Sequence, residues 1–597
     1  MSEARKKSLL RSAFIAVVIM IAFTAATPAE SPIADAAEQG DVAAVRALIR
    51  QGADPNGAQA DGMTALHWSA LNNEIEITEV VLFAGANANA TTRLGGYTPL
   101  HIASRAGNAE VVESLLKTGA DPGAYTSTGV TAMHFAAEAN AAGVIKALVA
   151  AGADLDAKDS FSDRTPMMFA SVRNATTALQ TLVEFDADLS LATAIKDYEK
   201  IEGEATEERA RRTRVREAAK DPEPNEEDSQ AGNQRSGRPS GGSGQSPPAD
   251  PNAPKVLSSI EQIGKQGGFT ALHYAAREGH IEATRVLLEA GSDVNQVTAG
   301  DQSSPLLVAV INGNYDLARV LLESGADPNV ASDDGVSPLF ATLNIEWSLR
   351  TWYPQPQAFR QQFTSYIELM ELLLDAGADP NSRTSTHVWY ASYNAGRMGV
   401  DFSGATPFWR AAYATDVNAM RLLVENGADP NIWTYNIVNP RRRFGPNVPA
   451  NAGNNEEEEE DPSGLPPVPH GGAGIHPLHA ASGVGFGTSR VAQQHRSVPD
   501  GWLPSVKYLI EELGVDPNLR DKDGYSALHH SAARGDNETI LYLVTKGADV
   551  TLISRRGQTT ADLANSPEQR AQPHPFTIAL LEKLGSKNNH QCRSCGG

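Results

Sequence analysis

A chain of 597 residues, 41% hydrophobic and 20% charged, carries apolar material for folding over a length worth about four ordinary domains. Lys and Arg total 50 against 72 Asp and Glu, a formal net charge of −22. That balance excludes a surface built to meet nucleic-acid phosphate and argues against docking on anionic lipid. Two cysteines exclude a disulfide framework.

The N-terminus opens with Arg5, Lys6, Lys7 and Arg11, followed by the uncharged run AFIAVVIMIAFTAA from Ala13 to Ala26 and the small residues Thr27 to Ala29. A basic start, an apolar run and a small-residue site define a secretory signal peptide over residues 1–29. The run is short for ~30 Å of hydrocarbon. The expected location is therefore periplasmic or secreted, with no membrane association after cleavage near Ala26 or Ala29. The alternative is an uncleaved segment that anchors the chain. Asn-x-Thr triplets at Asn89, Asn174 and Asn537 leave a eukaryotic secretory route open.

Beyond residue 30 the chain repeats itself. TALHWSA at Thr64 returns as TPLHIAS at Thr98, TAMHFAA at Thr131, TPMMFAS at Thr165 and TALHYAA at Thr270. Looser copies stand at Ser304, Ser337, Thr406, His476, Ser526 and Thr559, and the undisturbed spacing is 33 or 34 residues. A second phrase, GADPN or a variant, alternates with the first, as at Gly52, Gly325, Gly377 and Gly427. Between them, Ile281, Val286, Leu287 and Leu288 fit one helical stripe. Gly279 separates two helices, Gly291 ends the second, and Asp-Pro-Asn is turn chemistry. The motif Thr is placed to cap the first helix. Each unit reads as helix, turn, helix and projecting finger, and must stack on neighbours to bury its apolar face.

These phrases resemble the ankyrin repeat family. The resemblance covers about twelve units over residues 31–585 and implies an all-α ankyrin-repeat solenoid with projecting fingers and long insertions. Repeats 1–5 fall in 30–192 and repeats 6–12 in 267–585. The resemblance implies that His67, His101, His134, His273, His479 and His529 hydrogen-bond backbone between repeats. Met168, Leu307, Phe340 and Trp409 stand at the same place elsewhere, which a shared catalytic or metal role would not tolerate. It further implies an exported adaptor or scaffold that binds protein through its concave and finger surface. No cofactor, metal or nucleic acid is expected, and the expected state is a monomer. No G-x-S-x-G, H-E-x-x-H, P-loop or EF-hand loop occurs, so an enzyme is not expected.

Subtracting the regular spacing locates the insertions. Those at 346–363 and 484–500 fall in helix–helix turns. Those at 383–404 and 433–474 fall in fingers of adjacent repeats, where they can share one surface. The longest, 193–266, begins as a charged, helix-compatible segment and becomes Gly-, Pro- and Ser-rich, a composition expected to stay disordered. A single stack that loops this insertion out is preferred to two arrays, because the unit at Thr270 reads as interior and would expose apolar surface as an edge.

Aromatic residues concentrate in 347–435. Trp389, Tyr390, Tyr393, Trp433 and Tyr435, with Arg441, Arg442 and Arg443, are side chains of the kind that dominate interface hot spots. They are candidates for partner binding, for a glycan or other small ligand, or simply for the core of long loops. Trp347 and Trp352 are expected elsewhere. The acidic run Glu456–Asp461 reads as a solvated loop. Cys592 and Cys595 lie in a flexible tail, 586–597, and are open to a local disulfide, a partner-bound metal or no role.

Overall fold

The computed structural model describes residues 31–218, 254–255, 257–348, 358–386, 388, 400–438, 461–486, 495–566 and 572–589. It forms two compact units: one runs through Ala194 and resumes from Gly268 to Asp293, and the other takes Ile195–Gly267 and the chain from Val294.

Every repeat starts from the same local chemistry. Thr64 Oγ1 accepts the backbone N–H of His67, and His67 Nδ1 accepts the N–H of Thr64 in return, closing a capping box. Thr98, Thr131 and Thr270 repeat the arrangement with His101, His134 and His273. Where proline follows the cap, as at Pro99, it fills a first-turn position whose N–H would have no helical partner. Gly279 ends the first helix of its repeat at φ +79°, in the left-handed region that a side chain rarely adopts.

In the first unit, first helices such as Ala65–Asn72, Pro99–Ala106, Ala132–Glu138 and Pro166–Val172 pack in sequence, and the second helices pack beside them. One apolar cluster runs through the stack, including Leu66, Ile77, Leu100, Leu115, Met133, Leu148, Leu182 and Leu287, each at most 1% exposed or fully buried. Burying one such leucine contributes about 2 kcal/mol. Ala271–Glu278 packs on Pro166–Val172 and Ile281–Glu289 on Thr176–Glu184, so the chain rejoins this stack after the insertion. Thr193 N donates to Phe269 O at 3.0 Å, which places the exit and return side by side.

In the second unit, Lys196–Asp197 pairs antiparallel with Lys265–Gln266 at the neck of the insertion. Tyr198–Ala218 then forms a charged helix, with Glu202–Arg209 and Glu208–Arg212 pairs along it. The helix pairs that follow start at Pro305, Pro338, Pro407, Pro477, Ala527 and Thr560. Trp502–Lys507 continues as a π-helical turn, Tyr508–Glu512.

The Asp-Pro-Asn phrase explains how neighbouring repeats keep register. Asn329 Nδ2 donates to Gly377 O at 2.9 Å, while its Oδ1 accepts from Asp379 N at 2.8 Å. Asn56, Asn89, Asn295, Asn381 and Asn518 do the same to the repeats after them. The motif histidines form a second ladder. His67 Nε2 lies 3.1 Å from Tyr97 O, His101 3.0 Å from Ala124 O, His134 2.9 Å from Arg164 O, His479 2.9 Å from Leu519 O and His529 3.3 Å from Gln558 O. Because Nδ1 accepts a backbone N–H, Nε2 carries the proton and each ring is neutral.

Candidate protein-binding surface

In the first unit each finger is a short hairpin closed by backbone bonds, such as Thr92 N to Tyr97 O at 2.9 Å and Thr126 N to Val130 O at 2.9 Å. Adjacent tips are tied together: Arg93 N donates to Asp61 O, Ser127 N to Gly95 O, Ser160 N to Thr128 O and Ala194 N to Ser162 O, at 2.8–3.0 Å. Gly62 allows this close approach, since a Cβ there would lie 2.7 Å from Arg93 N.

The floor beneath the fingers comes from the residue after the motif histidine or its replacement. Trp68, Ile102 and Phe169 are half-buried, and Phe135 and Tyr274 are buried. Trp68 Nε1 donates to Gln59 Oε1 at 2.8 Å, Phe135 packs 5.9 Å from the Tyr97 ring, and Phe169 packs 4.9 Å from His134. The Arg164 guanidinium lies 4.7 Å over Phe169 and 2.7 Å from the buried Asp159 carboxylate. Burial raises the Asp159 pKa, but hydrogen bonds from the Arg164 and Ser162 backbone and the guanidinium outweigh it, so the pKa is lowered and the ion pair persists.

On this rigid base three successive fingers expose large apolar side chains: Leu94 at 81%, Tyr125 at 73% and Phe161 at 69%. Exposed apolar groups on a preorganised scaffold bind without a large ordering cost.

Finger tips of the second unit are differently used. Arg555 Nη1 bonds Asp461 Oδ2 at 2.6 Å and Leu465 O at 3.2 Å, and Nη2 bonds Pro466 O at 2.6 Å. The end of the 433–474 insertion thus lies across the fingers that carry Gly524 and Arg555. Asp461, the last residue of the acidic run, is an anchor of that crossing, while Glu456–Glu460 lie outside the described residues.

The residues singled out from composition sit as follows. The Trp433 ring lies 5.0 Å from His476 and 5.7 Å from His479, and its carbonyl accepts Arg383 Nη2 at 2.6 Å. Tyr435 lies under the Arg383 guanidinium at 3.9 Å, and its N–H donates to Ser403 O at 2.8 Å. The described ends of the two finger insertions therefore meet, and both aromatics are packed into that junction. Trp347 is at a helix–helix turn, where Nε1 donates to Asp416 Oδ2 at 3.0 Å. Trp389, Tyr390, Tyr393, Arg441, Arg442, Arg443, Cys592 and Cys595 lie outside the described residues, as does Trp352. We expect Trp433→Ala to lower stability by about 2 kcal/mol through lost ring packing. Denaturant unfolding checks this, and an unchanged midpoint would refute the packing role.

The resemblance implies the concave and finger surface, but sequence reasoning did not single out the individual side chains Leu94, Tyr125 and Phe161 or the floor residues. Their signal was present in the repeat phrases: TALH-Trp68, TPLH-Ile102, TAMH-Phe135, TPMM-Phe169 and TALH-Tyr274 put an apolar side chain at one fixed place. Among the described residues no group of three His, Cys, Asp or Glu could hold a metal, and no helix is long and apolar enough to cross a membrane.

Stacked helix pairs, capping boxes and tied fingers define a repeat module that presents a surface. Ankyrin repeat models match residues 33–126, 100–193, 251–332, 403–435 and 493–544, and the chain belongs to the ankyrin repeat family, whose repeats are generally protein–protein interaction modules. It is 39% identical over 90 residues to palmitoyltransferase Hip14 of Drosophila melanogaster, covering 15% of this chain and 14% of that protein. It is 35% identical over 100 residues to palmitoyltransferase ZDHHC17 of Rattus norvegicus, covering 16% of each. It is 39% identical over 88 residues to glycerophosphocholine phosphodiesterase gde1 of Schizosaccharomyces pombe, covering 15% of this chain and 8% of that protein. The chain therefore spans less than a fifth of each of these relatives, and the likeness is confined to repeats.

Proposed function

We propose that this chain is an exported adaptor that binds protein through the fingers and first helices of its first unit. The observation that carries this is the exposure of Leu94, Tyr125 and Phe161 on three successive fingers whose tips are hydrogen-bonded together. The signal-like residues 1–29 supply the export half of the reading. The small-ligand alternative has less support: Trp433 and Tyr435 are engaged within the fold, and Phe363 of the 346–363 insertion, 98% exposed, stands apart from them in a helix–helix turn.

Tyr125 and Phe161 are mostly exposed, and the Phe161 ring has the Arg164 guanidinium 5.9 Å from its centre. Tyr125→Ala and Phe161→Ala should each weaken partner binding by about 2 kcal/mol, with the melting temperature unchanged for Tyr125→Ala and lowered only slightly for Phe161→Ala, which loses an exposed contact with Arg164. The check is quantitative co-purification from the exported fraction, followed by titration of the recovered protein. A partner held equally well by wild type and the double variant would remove this surface from consideration. N-terminal sequencing that returns Met1 on a cytosolic product would remove the export half alone.

A further inference from the structure

The segment Leu465-Pro466-Pro467-Val468-Pro469 has backbone freedom removed at every position. Three of the five residues are proline, whose ring fixes φ near −65°. Leu465, Pro466 and Val468 each precede a proline and are pushed out of the helical region toward extended or polyproline II backbone. No helix, strand or turn is assigned to any of the five.

Exposure follows the threefold period of polyproline II. Leu465 and Val468, three apart, are half-buried against the protein, while Pro466, Pro467 and Pro469 are exposed. A polyproline II helix has three residues per turn and a rise of about 3.1 Å. Pro466 and Pro469 therefore fall on one outer edge, about 9 Å apart, and Pro467 on the other.

The inner side is clamped by its carbonyls. Arg555 holds Leu465 O at 3.2 Å and Pro466 O at 2.6 Å, and Asn436 Nδ2 holds Val468 O at 2.9 Å and Pro469 O at 3.3 Å. Leu465 and Pro462 reach the fingers that carry Gly524 and Gly557. His470 Nε2 lies 2.7 Å from Pro254 O and fixes the far end. The result is a rigid ridge of prolines facing solvent.

We infer that residues 465–469 are a preformed polyproline ligand, presented to a partner protein whose groove is lined by Trp and Tyr side chains. Such grooves read two prolines on one edge of a polyproline II helix, and the low ordering entropy of that helix favours binding. This surface belongs to the second unit and is independent of the exposed fingers of the first. Here the chain is the ligand rather than the reader.

The test titrates the intact protein into an isotopically labelled SH3 domain, a probe with an aromatic polyproline groove, followed by NMR shifts. Wild type should perturb the groove aromatics, and the Pro466→Ala/Pro469→Ala double variant should weaken binding at least tenfold. Pro499→Ala, an exposed proline outside the segment and its clamp, should bind as wild type. Arg555→Ala, which releases two clamped carbonyls, should weaken it severalfold. The substituted prolines are exposed, and an unchanged melting temperature confirms that the double variant is folded. The inference is overturned if wild type leaves the groove unperturbed, or if the double variant binds as tightly as wild type.

Discussion

Lowering the pH from 7 to 5 should strip stability from the second unit, with first effects around Pro477–Ala481 and Ala527–Arg534. Burial pulls His476 and His529 down to about 3 and His479 to about 4. His495, whose Nε2 lies 2.7 Å from Tyr413 O, is likewise held near 3 by burial. In the unfolded chain each imidazole takes a proton near 6.5. Between about 6.5 and each folded value, the unfolded chain binds more protons, so stability falls as pH falls. At pH 5 each ring contributes a loss on the order of 2 kcal/mol. The cause is geometric as well as dielectric: a proton on Nδ1 of His529 would face the N–H of Ser526, 3.2 Å away. Arg520 and His530 add to the depression at His479 and His529, and Asp521 opposes it. Asp521, 2.9 Å from His530 Nε2, has its own pKa lowered by that contact against the effect of burial. Its stabilising contribution is therefore lost only below the ordinary carboxylate range. Amide hydrogen exchange from pH 7 to 5, corrected for intrinsic rates, should show rising opening in these helices, and His529→Asn should flatten the dependence. A melting temperature constant across this range would contradict the prediction.

The repeat architecture was legible because each repeat encodes its own caps, helix stop and turn within a few dozen residues. Thr64 and His67 meet through local spacing alone, and Asn329 reaches Gly377 because stacking places the same phrase beside itself. Subtraction found where the extra residues leave the repeat, but a length carries no direction. The turn insertion before Trp502 runs back over the preceding repeat, where Val498 N donates to Ala414 O at 2.9 Å. The finger insertion before His476 runs forward, to Arg555. Neither path is set by local chemistry; both depend on carbonyls and cations far away in sequence.

The binding surface was obscured for a related reason. Counting aromatics draws attention to 347–435, yet a half-buried aromatic such as Trp433 signals packing. Exposure of an apolar side chain, as at Leu94 and Phe161, is the rarer and more informative condition. Exposure depends on the neighbouring repeat, and composition does not report it. The proline ridge was hidden similarly: Pro466 to Pro469 fall inside the finger insertion 433–474, and their clamp comes from Arg555 and Asn436, of which Arg555 is far away in sequence.

Arg410 is where a single substitution should cost most. It stands at the place that Trp68, Phe135 and Tyr274 fill in other repeats, yet it is only 1% exposed. Its Nε donates to Asn344 Oδ1 at 3.0 Å and Nη2 to Trp347 O at 2.7 Å, joining the repeat to the turn insertion of the one before. The rings of Tyr413 and Phe402 lie 5.8 and 6.0 Å from the guanidinium. Arg410→Ala opens a cavity and leaves two acceptors without these donors, and should destabilise by about 3–5 kcal/mol. Arg410→Met keeps the stem volume but not the donors, and should cost about half as much. Arg410→Lys should fall near Met, because an ammonium cannot span both acceptors as a planar fork does. Chemical denaturation of the three variants separates packing from hydrogen bonding. An Arg410→Met protein as stable as wild type would assign the whole effect to volume, and the bonds to Asn344 and Trp347 would then contribute nothing net.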